Sequence, residues 1–139
     1  MKLPSTLKVI KNDAFMGCGN LRSVQLPEGL VEIGLRAFRE SGLECVETPP
    51  SVRIIHQSAF CECPGLRRAT LNEGLEVLGT NEYPDSYGRW CGVFHESALE
   101  RVELPSTLRR IEYCAFEKCR NLKSIRLPEK IEYIGKHCF

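Results

Sequence analysis

No apolar run in the 139 residues approaches the roughly 18 needed for a membrane-spanning helix, so membrane insertion is not expected. The opening stretch Met1-Lys2-Leu3-Pro4-Ser5-Thr6 lacks the apolar core of a signal peptide. Charge of one sign is also missing. With 19 Lys+Arg against 18 Asp+Glu the net charge is +1, which leaves no global field to gather nucleic acid or anionic lipid. No Asn-x-Ser/Thr sequon occurs. The phosphate-cradling glycine motifs, the G-x-S-x-G nucleophile elbow and the H-E-x-x-H zinc motif are absent, so neither an enzyme nor a bound cofactor is expected. Composition does not suggest disorder, since 42% of residues are hydrophobic and 27% charged.

What is present is a repeat. The pattern L-P-x-x-L-x-x-I-x-x-x-A-F recurs in six units of about 23 residues, beginning at Leu3, Leu26, Thr48, Leu71, Leu104 and Leu127. All six phenylalanines, Phe15, Phe38, Phe60, Phe94, Phe116 and Phe139, then occupy one repeat position. The eighth position reads Ile10, Ile33, Ile55, Leu78, Ile111 and Ile134. One unit cannot bury these groups alone, so successive coils must stack around a shared core. Val24-Gln25-Leu26 and its counterparts alternate as half-buried strands do, and the proline that follows ends the strand. The stretch from Asn12 to Gly17 fits a single helical or 3₁₀ turn. The expectation is one mainly β domain over residues 1–139, a six-coil solenoid of short strands and short helical turns.

The extended pattern L-P-x-x-L-x-x-I-x-x-x-A-F-x-x-C-x-x-L-x-x-I/V-x, at Leu3 to Gln25 and again at Leu104 to Arg126, resembles the BspA-type leucine-rich repeat. The resemblance implies a right-handed leucine-rich-repeat solenoid used for protein recognition, often in surface-exposed adhesins, with no catalytic residues. Asn72 replaces the usual proline, and the fourth unit carries an insertion at about 80–91. The sequence ends in mid-coil, which points to a fragment of a longer array or to end-to-end self-association through uncapped coils.

The eight cysteines admit several readings. Cys18, Cys63 and Cys119 recur three residues beyond the Phe of alternate units, too far apart to bridge one another, and are expected as buried packing residues. Cys138 stands in the alanine column and Cys45 beside a strand position that leaves it exposed. A metal site is not expected, because Cys61, Cys63, Cys91, His95, Cys114 and Cys119 are spread over different coils and faces. Unbridged thiols favour a reducing setting, whereas the family is often surface-exposed, so location stays open.

Candidate binding residues are the outward strand positions and the insertion. The strands offer Arg22, Gln25, Glu47, Arg68, Arg101, Glu103 and Arg126. Arg22, Glu44, Arg67, Glu100 and Lys123 form a column of alternating sign, which suits a specific protein partner better than a polyanion. Residues 101–139 are net basic, but that patch is small, with only Tyr113 and Tyr133 for base stacking, so nucleic acid is not the expected partner. The insertion holds Tyr83, Tyr87, Arg89 and Trp90, residue types common at interface hot spots. They serve either a recognition loop or a cover over the solenoid flank.

Overall fold

The computed structural model describes residues 1–80 and 91–139. Strands β1 (Val9–Ile10), β2 (Glu32–Ile33), β3 (Cys45–Thr48), β4 (Ile54–Ile55), β5 (Arg68–Leu71), β6 (Val77–Leu78), β7 (Arg101–Glu103), β8 (Arg110–Ile111) and β9 (Tyr133–Ile134) form two parallel sheets. One runs β1-β2-β4-β6-β8-β9 and the other β3-β5-β7. Strands adjacent in each sheet are one coil apart in sequence, so the backbone is a parallel β-solenoid. Register is strict: Ile10, Ile33, Ile55, Leu78, Ile111 and Ile134 lie side by side across the larger sheet.

The eighth-position column supplies one wall of the core, with Ile33, Ile55, Leu78 and Ile111 fully buried. Val46, Ala69 and Val102 enter from the second sheet and Leu30, Val52, Leu75 and Leu108 from the segment after it. The phenylalanines close the third side. Phe15, Phe38, Phe60, Phe94, Phe116 and Phe139 stack in series, with centroids 5.1, 5.4, 5.5, 5.6 and 5.8 Å apart and ring planes within 13°. Such stacking adds about 0.5–1.5 kcal/mol per pair beyond area burial.

The proline in the second position of the repeat, at Pro4, Pro27, Pro49, Pro105 and Pro128, opens a turn in which its carbonyl accepts the N–H three residues on, as from Leu7 to Pro4, Leu30 to Pro27 and Leu108 to Pro105. Asn72 does the same for Leu75, while its side-chain amide donates to the Thr48 carbonyl, which accounts for the missing proline.

The expected helical turns take another form: no helix is present among the described residues. Around the first five phenylalanines, i+3 hydrogen bonds such as Ala14 to Lys11 and Met16 to Asp13 begin a turn. Left-handed residues interrupt it before a helix can propagate. Asp13, Arg36, Ser58, Cys114 and His137 precede the Phe by two places with φ between 53° and 61°. Gly17, Glu40, Glu62, Glu96 and Lys118 follow it by two, with φ between 54° and 72°. A non-glycine residue there costs roughly 1 kcal/mol. The return is that alternate N–H groups turn toward the next coil: Asp13 donates to Leu35, Phe15 to Ala37 and Gly17 to Arg39. The turns are thus stitched to one another as strands are.

Cys63 and Cys119 are buried as expected, each thiol donating to a carbonyl of the preceding coil, Phe38 and Phe94, beside Ser41 and Ser97. Cys138 is buried as well. Cys18 corrects the expectation: it is exposed, without the carbonyl and serine contacts that cover Cys63 and Cys119 from the coil before each.

Candidate functional site: the outer face of the three-stranded sheet

Strands β3, β5 and β7 alternate. Val46, Thr48, Ala69, Leu71 and Val102 point inward and are buried, leaving Cys45, Glu47, Arg68, Thr70, Arg101 and Glu103 on the outer face. The register aligns Cys45, Arg68 and Arg101 in one row and Glu47, Thr70 and Glu103 in the next. Neighbouring strands are about 4.8 Å apart, so the two arginine side chains leave the sheet side by side, an unfavourable pairing for like charges. Neither Arg68 nor Arg101 makes an ion pair or side-chain hydrogen bond among the described residues.

The alternating column is real: Glu44 N–H donates to the Arg22 carbonyl, Arg67 to Glu44 and Glu100 to Arg67. Within it Arg67 pairs with Glu100 at 2.7 Å. Arg68, Arg101, Arg67, Arg120 and Lys123 together with Glu44 and Glu100 line a shallow depression of about 950 Å³ over this face, with no aromatic side chain among the described residues that line it. The face is therefore net cationic, with its two central arginines uncompensated.

Other expected residues fall elsewhere. Arg22 and Gln25 are exposed beyond the first strand of this sheet, Gln25 bridging to Lys2. Ser124 to Arg126 is not a strand, and Arg126 lines a neighbouring depression of about 690 Å³ with Glu73, Glu103 and Arg109. There the Ser106 N–H and hydroxyl donate to Glu73 and hold its carboxyl below the usual carboxylate range. Tyr83, Tyr87, Arg89 and Trp90 lie outside the described residues. Arg120 and Asn121 were not among the candidate residues, because they sit before the outward positions that the repeat pattern marks. Their signal was position: they directly precede Leu122 and the outward Lys123.

The C-terminal basic patch is dispersed. Arg110 lies 4.3 Å over the Tyr133 ring and bonds Glu112, Lys118 pairs with Glu96, and Tyr113 packs edge-on against His137. Among the described residues no aromatic platform meets the cationic face.

The expectation that the metal-type residues lie apart also needs correction. Cys61, Glu62 and Cys91 converge, one ligand atom from each lying within 4.8 Å of the others. The residue just after one Phe and the residue three before the next Phe are brought together when their coils stack. His95 turns away toward Glu117, and Cys114 is buried with its thiol pushed up to about 12 by burial and its contact with Glu117.

The family described as BspA type leucine-rich repeat region matches residues 1–86 and 91–139, in six copies. The chain belongs to this family. A leucine-rich repeat protein of T. pallidum is 32% identical over 96% of this chain, with a TM-score of 0.77. One from Bacteroides ovatus is 26% identical over 96%, with a TM-score of 0.65. The pneumococcal vaccine antigen PcpA, 24% identical over 94% of the chain at a TM-score of 0.57, shares the fold. This BspA-type chain spans 58%, 38% and 39% of those three proteins. No curated protein matches it. No helix among the described residues is long and apolar enough to cross a membrane.

Proposed function

We propose that this BspA-type chain is a non-catalytic protein-interaction module whose binding face is the outer side of β3-β5-β7, and that it recognises an acidic segment of a partner protein. The observation that carries this reading is the adjacent, uncompensated Arg68 and Arg101 at the centre of a face whose other close pair, Arg67 and Glu100, is neutralised. Two like charges kept side by side cost stability, and a carboxylate-bearing partner would relieve that cost while giving bidentate contacts. Among the described residues the depression is lined by charged and polar side chains, which suits a carboxylate-bearing peptide better than stacked bases. The setting suggested by the family, the recognition part of a surface or adhesin-type protein, is the finer form of this proposal.

The test is selection from a displayed peptide library, followed by affinity measurement with Arg68→Glu, Arg101→Glu and the double variant. Enrichment of acidic peptides whose affinity falls at least about tenfold in the double variant supports the reading. Peptides that bind both proteins equally would leave the face a solvated ladder and the chain a structural spacer.

A further inference from the structure

Cys61 and Cys91 are buried, yet neither belongs to the contiguous hydrophobic cluster that takes in Cys63, Cys119 and Cys138. Repeat packing does not account for them. Residues following the Phe are Met16, Arg39, Cys61, His95 and Glu117, so nothing in the repeat requires a thiol there. Their sulfur atoms and a Glu62 carboxylate oxygen lie within 4.8 Å of one another. In a tetrahedral site with metal–sulfur bonds of about 2.3 Å, adjacent ligand atoms stand about 3.8 Å apart, so the observed cluster needs only small side-chain movement to close.

The backbone beneath is held on both sides. Glu62 sits at φ 54° with its N–H donated to the His95 carbonyl at 2.8 Å, and the buried Ser58 hydroxyl donates to the Cys91 carbonyl at 2.7 Å. Charge balances as well. Arg39, 6% exposed, places a guanidinium nitrogen 2.8 Å from Glu62. Arg39 also pairs with Glu40 at 3.2 Å; with that exposed carboxylate left to solvent, two thiolates, one carboxylate, one divalent ion and the guanidinium sum to zero.

We propose that Cys61, Glu62 and Cys91 bind one zinc-class divalent ion, the two sulfurs as thiolates, with the fourth position left to water. Two sulfurs and one oxygen suit zinc rather than magnesium or calcium, which take oxygen ligands. The ion ties Cys61 and Glu62 of the third coil to Cys91 of the fourth. Binding releases two thiol protons to solvent. Because both thiol protons must leave for the ion to bind, affinity falls on acidification.

The test is titration of the reduced, metal-free full chain with cobalt(II), followed by displacement with zinc. The expected result is one cobalt per chain, with a thiolate-to-cobalt charge-transfer band and the visible bands of a tetrahedral site. Both signals are lost in Cys61→Ser and Cys91→Ser and kept in Cys18→Ser and Cys45→Ser. Glu62→Gln should keep the sulfur band and weaken affinity by roughly tenfold or more. No sulfur band in the reduced wild type, or the same band in both serine variants, would overturn the proposal. Should the serine variants fail to fold, Glu62→Gln decides, and unchanged affinity there overturns it.

Discussion

Replacing Phe60 by alanine removes the middle of the stack that closes the third side of the core. Phe60 is fully buried, with Phe38 5.4 Å away on one side and Phe94 5.5 Å on the other. A buried Phe→Ala change costs about 3–5 kcal/mol through lost transfer energy and the cavity left behind. Two stacked partners on a strictly periodic backbone leave little room to collapse into that cavity, so a loss of about 4–5 kcal/mol is expected. Total stability on the order of 7–20 kcal/mol for a chain of this length makes that a large fraction. Met16, 42% exposed on the equivalent turn of the first coil, is the control, and Met16→Ala should stay within about 0.5 kcal/mol. Equilibrium urea unfolding at constant m-value measures both. A Phe60→Ala loss below about 1.5 kcal/mol would mean that the stack is ornament on a backbone held by its ladder, and the account of the core would fail.

Other substitutions probe the turns. A side chain at Gly92 would run into the backbone carbonyl of Cys114 in the next coil, so Gly92→Ala should destabilise by about 2 kcal/mol or more in the same assay, while a neutral result would deny the close approach. Glu40 sits at φ 57° in a position that Gly17 fills in the first coil, so Glu40→Gly should be neutral or stabilising by up to about 1 kcal/mol and Glu40→Val clearly destabilising. Burial raises the Cys63 and Cys119 thiols above 9.0, so the folded chain keeps protons that the unfolded chain gives up above that pH. Their contribution is whole below pH 9 and is lost as pH climbs toward the folded values, and Cys63→Ala should flatten that alkaline decline in a denaturation series; an unchanged slope would remove thiol burial as its cause.

The period, the core columns and the outward strand positions could be read from the sequence because each repeats one residue type: phenylalanine at Phe15 to Phe139, an aliphatic at Ile10 to Ile134. The left-handed turns could not, since Asp13, Arg36, Ser58, Cys114 and His137 share a backbone conformation and no side-chain chemistry. Cys18 was misjudged because a column identifies a slot and says nothing of whether a preceding coil covers it. Cys61 and Cys91 looked remote, 30 positions apart in different slots of the repeat, because convergence across stacked coils depends on how the turn folds. For the binding face the rows were legible, but which arginines lack a partner was not. Arg67 finds Glu100 and Arg68 does not, although they are adjacent in sequence.

The central claim, that the outer face of β3-β5-β7 recognises an acidic partner segment, is tested most directly by heteronuclear NMR with a selected acidic peptide. Shift changes should centre on Arg68 and Arg101 with their strand neighbours, and the Arg68→Glu/Arg101→Glu variant should abolish them. A Lys8→Glu/Lys11→Glu variant, altered beside the opposite sheet, should leave them intact. Shifts that map to the six-stranded sheet, or that survive the double reversal on β5 and β7, would contradict the account.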